Sequence, residues 1–203
     1  DIENLILVGG ESNDIKYPGP SVNETSEYIT RDLNAGRFDF FCGGITIPSR
    51  KIESVRLLKK GSNGIEFFTS QVLYDGKKIK KMLKYYDDVC KENNVLPRRI
   101  LLSFAPVSSK KNIDFLKWLG VEIPSQTEKR LTNKKTSMSD ESLEIASEIL
   151  KDILNNNEKL GITVPIGLNV EHIMSYNFQS SINMLQELSR IYREFCIKTT
   201  LYD

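Results

Sequence analysis

The chain has 203 residues, 39% of them hydrophobic and 27% charged, enough to bury the core of one soluble domain. Its formal net charge of +1 creates no field for nucleic acid, and no apolar run approaches the roughly 20 residues of a membrane span. Cys42, Cys90 and Cys196 form no C-x-x-C pair and His172 is the single histidine, so neither a metal centre nor a disulfide framework is expected.

The opening Asp-Ile-Glu-Asn-Leu lacks the basic segment and cleavage site of a secretion signal, and a cytoplasmic protein with reduced thiols is expected. Residues 4–9 form an apolar run closed by Gly9-Gly10, the pattern of a buried parallel strand. Ser21 with Glu24 three residues later predicts a capping box and a helix to about Gly36. A second strand is predicted over 38–45, with Pro48 in the first turn of a helix ending at Gly61. The third strand covers 64–70. The helix after it carries Ile79, Met82, Leu83, Tyr86, Val89 and Cys90 at helical spacing, with lysines 77, 78, 80 and 81 on a solvated face. Strand four covers 99–105, followed by a helix bearing Ile113, Phe115, Leu116 and Leu119. Trp118 reads as packing. Residues 127–139 are polar and basic and read as a surface loop. An amphipathic helix with Leu143, Ala146, Ile149, Leu150 and Ile153 leads to strand five over 162–170. A last helix runs from 178 to about 195 with Ile182, Leu185 and Leu188 inward.

This alternation, with no linker or repeat, predicts a single α/β domain over 1–203 with parallel strands and right-handed crossovers. Two architectures compete. Five strands favour an open doubly wound sheet, while part of a (βα)8 barrel has the same pattern. In both, ligands bind beyond the carboxyl ends of the strands, where the unusual residues lie: Glu11 after strand one, Thr46 and Arg50 after strand two, Gln71 after strand three, Ser108 after strand four, and Asn169, Glu171 and His172 at strand five.

Each has an ordinary alternative. Glu11 could be a solvated loop carboxylate, and Gln71 a turn residue rather than an amide suited to the mixed edge of a pterin. His172 is of the residue type suited to acid–base work, yet a lone histidine is more often structural. Glu171 and His172 should point to opposite faces of an extended strand. Gly9-Gly10 and Gly43-Gly44 permit close backbone approach but form no G-x-G-x-x-G fingerprint.

The stretch Gly64-Ile-Glu-Phe-Phe-Thr-Ser-Gln71, preceded by Leu57-Leu58-Lys59-Lys60, resembles the methylenetetrahydrofolate reductase segment that carries a folate-contacting glutamine. Residues 101–108, with the Pro-Val turn, resemble the next family strand. Trp118-Leu-Gly-Val-Glu-Ile-Pro124 is similar to the piece downstream of it. Residues 4–11 resemble the strand that ends in a Gly-Asp pair, 40–48 the strand after it, and 166–172 the last strand. The order matches over nearly the whole chain. The resemblance implies a TIM-type (βα)8 barrel of which this chain supplies five βα units, strands four to eight. The first three strands, and the glutamate general acid they carry, would lie outside it.

The resemblance further implies that Glu11 replaces an aspartate near the reacting rings and that Gln71, with Asn169, Glu171 and Ser108, binds a folate or related pterin. His172 would line the catalytic rim with Glu11. Thr46, Arg50, Lys59 and Lys60 would face a flavin, with NADH or NADPH as electron donor. Three departures mark a divergent branch that would bind FAD weakly or not at all: Gly-Gly-Glu at 9–11, Ile-Thr-Ile-Pro at 45–48, and Lys110 at an aromatic stacking position. The expected function is reduction of a methylene-tetrahydropterin to its methyl form, by a whole protein of which this chain alone would be inactive. A non-catalytic folate-binding or scaffolding subunit, a homo-oligomer joined at an exposed edge, and an unrelated open-sheet protein are the alternatives.

Overall fold

A computed structural model describes residues 3–9, 18–34, 40–133 and 135–200, with 32–34 and 199–200 described by backbone alone. It is an α/β structure: β1 (Asn4–Leu7), α1 (Val22–Asn34), β2 (Phe41–Thr46), α2 (Glu53–Ser62), β3 (Phe67–Ser70), α3 (Gly76–Glu92), β4 (Arg99–Phe104), α4 (Lys110–Trp118), α5 (Ser125–Leu131), α6 (Met138–Leu160), β5 (Ile166–Val170) and α7 (Phe178–Thr200). The strands form one sheet in the order β1-β2-β3-β4-β5, and β1–β2, β2–β3 and β3–β4 pair in parallel. Among the described residues no helix is long and apolar enough to cross a membrane.

The described residues belong to two compact units, one of residues 1–70, 82–101 and 163–167, the other of 71–81, 102–162 and 168–203. In the first, side chains alternate across the strands. Cys42, Thr46, Phe68 and Ile100 point to one face and are buried, as are Leu57, Leu83 and Tyr86. The other face is more open: Phe41 is 50% exposed and stacks on Phe67 with ring centroids 5.3 Å apart. Phe67 lies over Gly43, and Leu101 over Gly167, so closely that a Cβ at either glycine would collide with the covering side chain.

One buried carboxylate fixes the chain before β5. Asp87 of α3 is 1% exposed, and its Oδ1 accepts from Thr163 N (2.9 Å) and Thr163 Oγ1 (2.6 Å), while Oδ2 accepts from Lys91 at 2.5 Å. Burial pushes this carboxyl up, but the bonds from Lys91 and Thr163 together hold it below the ordinary aspartate range. Tyr86 OH accepts from Arg98 N at 2.9 Å, and Ile100 N donates to Pro165 O at 2.9 Å, which sets β4 beside the approach to β5.

In the second unit Val72, Tyr74, Ala105, Val107, Ile113, Leu116, Val121, Leu131 and Ile145 pack into one apolar cluster, and Tyr74 OH donates to Ala105 O at 2.9 Å. Several expectations need revision here. The basic stretch at 127–139 is not one loop: α5 covers its first part, anchored by buried Leu131. Arg130 donates to Glu141 (2.9 Å) and Glu148 (2.7 Å), so this cation serves internal pairing. Lys134 lies outside the described residues. Trp118 is 68% exposed, resting on Phe115 rather than in the core. In α7 Leu188 is buried as expected, together with Met184 and Ile191, while Leu185 is 48% exposed.

The capping box stands as expected: Ser21 N donates to Glu24 Oε2 (2.7 Å) and Glu24 N to Ser21 Oγ (3.2 Å). Strands β3 and β5 are shorter than expected, because Gly64 takes φ 91° before β3 and Pro165 precedes β5. Helix α2 begins at Glu53 rather than at Pro48, after Ile52 in a left-handed conformation (φ 54°). A β-branched side chain is strained there, by about 1–2 kcal/mol.

Two stability predictions follow from these anchors. D87A should lower unfolding free energy by about 2–4 kcal/mol in denaturant titration. Because the folded carboxyl is held low, its contribution is present above the unfolded aspartate value and is lost as pH falls through the folded one, so the gap between wild type and D87A should close in acid. I52G should instead raise stability by about 1 kcal/mol, as strain at an exposed left-handed position is relieved.

Candidate functional site

Parallel strands leave their carboxyl ends open to ligands, and the loops that follow carry the polar groups. In the second unit three side chains meet at the ends of β4 and β5. Ser103 occupies the β4 position between Leu102 and Phe104, so its hydroxyl points to the opposite face from those fully buried side chains. Asn169 Nδ2 donates to Ser103 Oγ at 3.0 Å and approaches Glu171 Oε1 at 3.5 Å. Ser103 in turn hydrogen-bonds the Glu171 carboxyl. Glu171 is anchored through its backbone as well, with its N donating to Phe104 O at 2.8 Å.

Ser103 is fully buried, while Asn169 and Glu171 are half-buried. Burial pushes the Glu171 carboxyl above the ordinary glutamate range, and the Ser103 hydroxyl pulls it partly back. The group is therefore an acceptor whose ionisation is costly until a donor arrives. It suits recognition of N–H groups.

A second network joins the loop after β4 to the loop after β5. Ser108 N donates to Asn112 Oδ1 (3.0 Å), and Ser108 Oγ lies 2.5 Å from Asn177 Oδ1 and 3.2 Å from Asn112 Oδ1. Asn177 Nδ2 donates to Pro106 O and to Asn112 Oδ1, both at 3.2 Å. Asn112 Nδ2 donates to Tyr176 OH at 2.6 Å. Asn112 and Asn177 are each 1% exposed, so these amides are structural fasteners.

Of the residues expected to bind substrate, Asn169 and Glu171 come together, and Ser108 belongs to the neighbouring amide network. Gln71 is half-buried, with its Nε2 donating to Leu119 O at 3.4 Å. His172 is exposed and meets the edge of Phe178, ring centroids 5.4 Å apart, while Glu171 turns inward as strand alternation requires. Glu11 lies outside the described residues.

The residues expected at a cofactor lie in the first unit. Thr46 is buried, with its hydroxyl 3.1 Å from Glu53 Oε1 and 3.3 Å from Met82 sulfur. Lys60 Nζ donates to Ile45 O at 2.9 Å, and burial draws its ammonium below the usual lysine range against the pull of Glu53. Arg50 and Lys59 are exposed. Glu53, 2% exposed, accepts Ile47 N at 3.1 Å through Oε1, and its Oε2 has no hydrogen-bond partner among the described residues. No cluster able to hold a metal ion occurs among the described residues.

Sequence reasoning missed Ser103, Asn112, Asn177 and Glu53. Ser103 had a readable signal, as the one hydroxyl in the apolar run Ile100-Leu-Leu-Ser-Phe104. The two buried asparagines had none, since their partners come from loops 65 residues apart.

No protein-family model and no curated protein matches the chain. Among solved structures, it overlays on an uncharacterized protein from Clostridium thermocellum that binds two copies of 5-methyl-5,6,7,8-tetrahydrofolic acid. The TM-score is 0.73 at 24% identity, over 95% of this chain and 64% of that one. The two share a fold, and the present chain spans less than two thirds of its neighbour's length. A 3-keto-L-gulonate-6-phosphate decarboxylase from Vibrio cholerae overlaps at TM-score 0.34 and 11% identity, over 94% of this chain and 98% of that one, a level from which no shared architecture follows.

The inward carboxyl yields a direct expectation. A folded-state value raised by burial means that Glu171 favours folding most below the unfolded glutamate value, and this contribution is lost as pH rises through the folded one. Thermal unfolding of E171Q at neutral pH should accordingly occur about 1–3 °C above wild type, and the difference should vanish in mild acid.

Proposed function

We propose that this chain binds a reduced folate or related tetrahydropterin at the carboxyl ends of its parallel strands. The observation that carries the reading is the meeting of Ser103, Asn169 and Glu171 at one strand-end site. The shared fold with a protein that binds 5-methyl-5,6,7,8-tetrahydrofolic acid supports it. On this reading the sheet is an arc of a (βα)8 barrel, the chain supplies strands four to eight, and the protein is a divergent relative of methylenetetrahydrofolate reductase.

The reaction we assign to the complete protein is reduction of a methylene bridge to a methyl group. A hydride from NADH or NADPH reaches the bridging carbon, the carbon's bond to the second nitrogen breaks, and that nitrogen takes a proton. Asn169 and Glu171 would orient the pterin, with Gln71, Ser108 and His172 as further contacts. FAD fits the chain poorly. Thr46 and Lys60 are bonded to Glu53, Met82 and Ile45, and the buried Glu53 carboxyl places acceptor oxygens among the groups a flavin phosphate would need. No step is assigned to a flavin.

Two measurements on the full chain test this. At about 100 times its dissociation constant, 5-methyltetrahydrofolate should raise the unfolding temperature by about 5–10 °C. Oxidation of NADH or NADPH that depends on methylene-tetrahydrofolate, by a colourless preparation of the complete protein, would support the reductase. Binding without turnover favours a carrier or scaffolding subunit. If no tetrahydropterin stabilises the chain, the reading is wrong.

A further inference from the structure

Within that strand-end site the chemistry of one side chain goes further. A carboxylate is an acceptor with two oxygens and no donor, so it pairs best with two parallel N–H groups. The amino-pyrimidinone ring of a tetrahydropterin offers such a pair, the 2-amino group and the adjacent ring N–H. We propose that Glu171 is the specificity residue that accepts this pair, with Ser103 and Asn169 as the positioning residues that hold its carboxyl. The inference rests on the tetrahydropterin reading above and deepens it by naming the edge of the ligand that is recognised.

Three observations carry the assignment. The first is placement: Glu171 follows β5 directly and is held at its backbone by Phe104 O, so its position does not depend on a long loop. The second is the donor chain beneath it. Asn169 Nδ2 donates to Ser103 Oγ at 3.0 Å and reaches Glu171 Oε1 at 3.5 Å, and the Ser103 hydroxyl bonds the Glu171 carboxyl. Such a chain fixes rotamer and charge together. The third is partial burial. Ser103 is inaccessible at 0% exposure, and the carboxyl above it is half-buried, so an incoming N–H pair would replace water at a site where each charge-assisted bond is strengthened. No cation is paired with Glu171 among the described ion pairs, in contrast to the surface carboxylates Glu122, Glu141, Glu148 and Glu187.

The alternatives at the same strand ends are less suited. Gln71 presents an amide whose nitrogen already donates to Leu119 O, and an amide offers one acceptor rather than two. The exposed His172 ring rests on Phe178 and matches a ring face better than an N–H edge.

The test is a double-mutant cycle between protein and ligand, using titration calorimetry on the full chain. The ligands are 5-methyltetrahydrofolate and the analogue that lacks the 2-amino group. E171Q should bind the parent ligand about 10- to 100-fold more weakly, the range for a lost charge-assisted hydrogen bond. E171Q should weaken the analogue by a smaller factor than the parent ligand, since only the ring N–H is left for the carboxylate to accept, and E171D should recover part of the loss. Removal of the amino group should cost wild type a similar factor. Equal affinity of wild type and E171Q for the parent ligand overturns the assignment while leaving the folate reading intact. So does equal weakening of both ligands, the pattern of a purely structural role. If wild type binds neither ligand, the folate reading itself fails and the assignment goes with it. Unfolding curves for each variant exclude misfolding as the cause.

Discussion

The register of β5 is the constraint on which the site depends. Side chains alternate along a strand, so a slip by one residue would turn Asn169 and Glu171 away and present Leu168 and Val170 instead. The segment that enters the strand is held within the first unit, where Asp87 grips both the amide and the hydroxyl of Thr163, and Ile100 N holds Pro165 O. A carboxylate buried on α3 thus fixes the chain just before β5. Its three bonds offset the desolvation that would otherwise make it a liability.

The polar strand ends and the apolar interior obey opposite rules. Phe68, Leu102 and Phe104 lose all contact with water, as parallel strands covered by helices should. Ser103 is equally buried, yet it carries a hydroxyl, tolerable only because Asn169 and Glu171 satisfy it. Glu171 is raised by the same burial that makes it a strong acceptor. Stability and recognition therefore pull in different directions at this one position, which is common where a protein must keep a charge ready for a ligand.

Much of the fold was legible because its signals are local. The Ser21–Glu24 box, the Ile79-to-Cys90 stripe and the alternation of strand and helix each arise within a few turns of chain. The misreadings have equally physical causes. Helix α5 is seven residues long, too short to show a period, and its stability comes from Leu131 and the Arg130 pairs rather than from propensity. Trp118 is apolar like a core residue but ends a helix, where it stacks on Phe115 and stays 68% exposed. At the site, Asn169 and Glu171 were visible as polar residues ending an apolar run. The asparagine network was invisible, since Asn112 and Asn177 acquire meaning only through partners distant in sequence.

That network couples two surface loops that would otherwise diverge separately. Ser108, Asn112, Tyr176 and Asn177 share protons and lone pairs in one closed set, so replacing any of them alone strands a buried amide. Evolution of this rim is thereby restricted to concerted steps. Relatives that alter one of the four positions should carry matching changes at the others, and a laboratory library that randomises them one at a time will return mostly poorly folded proteins.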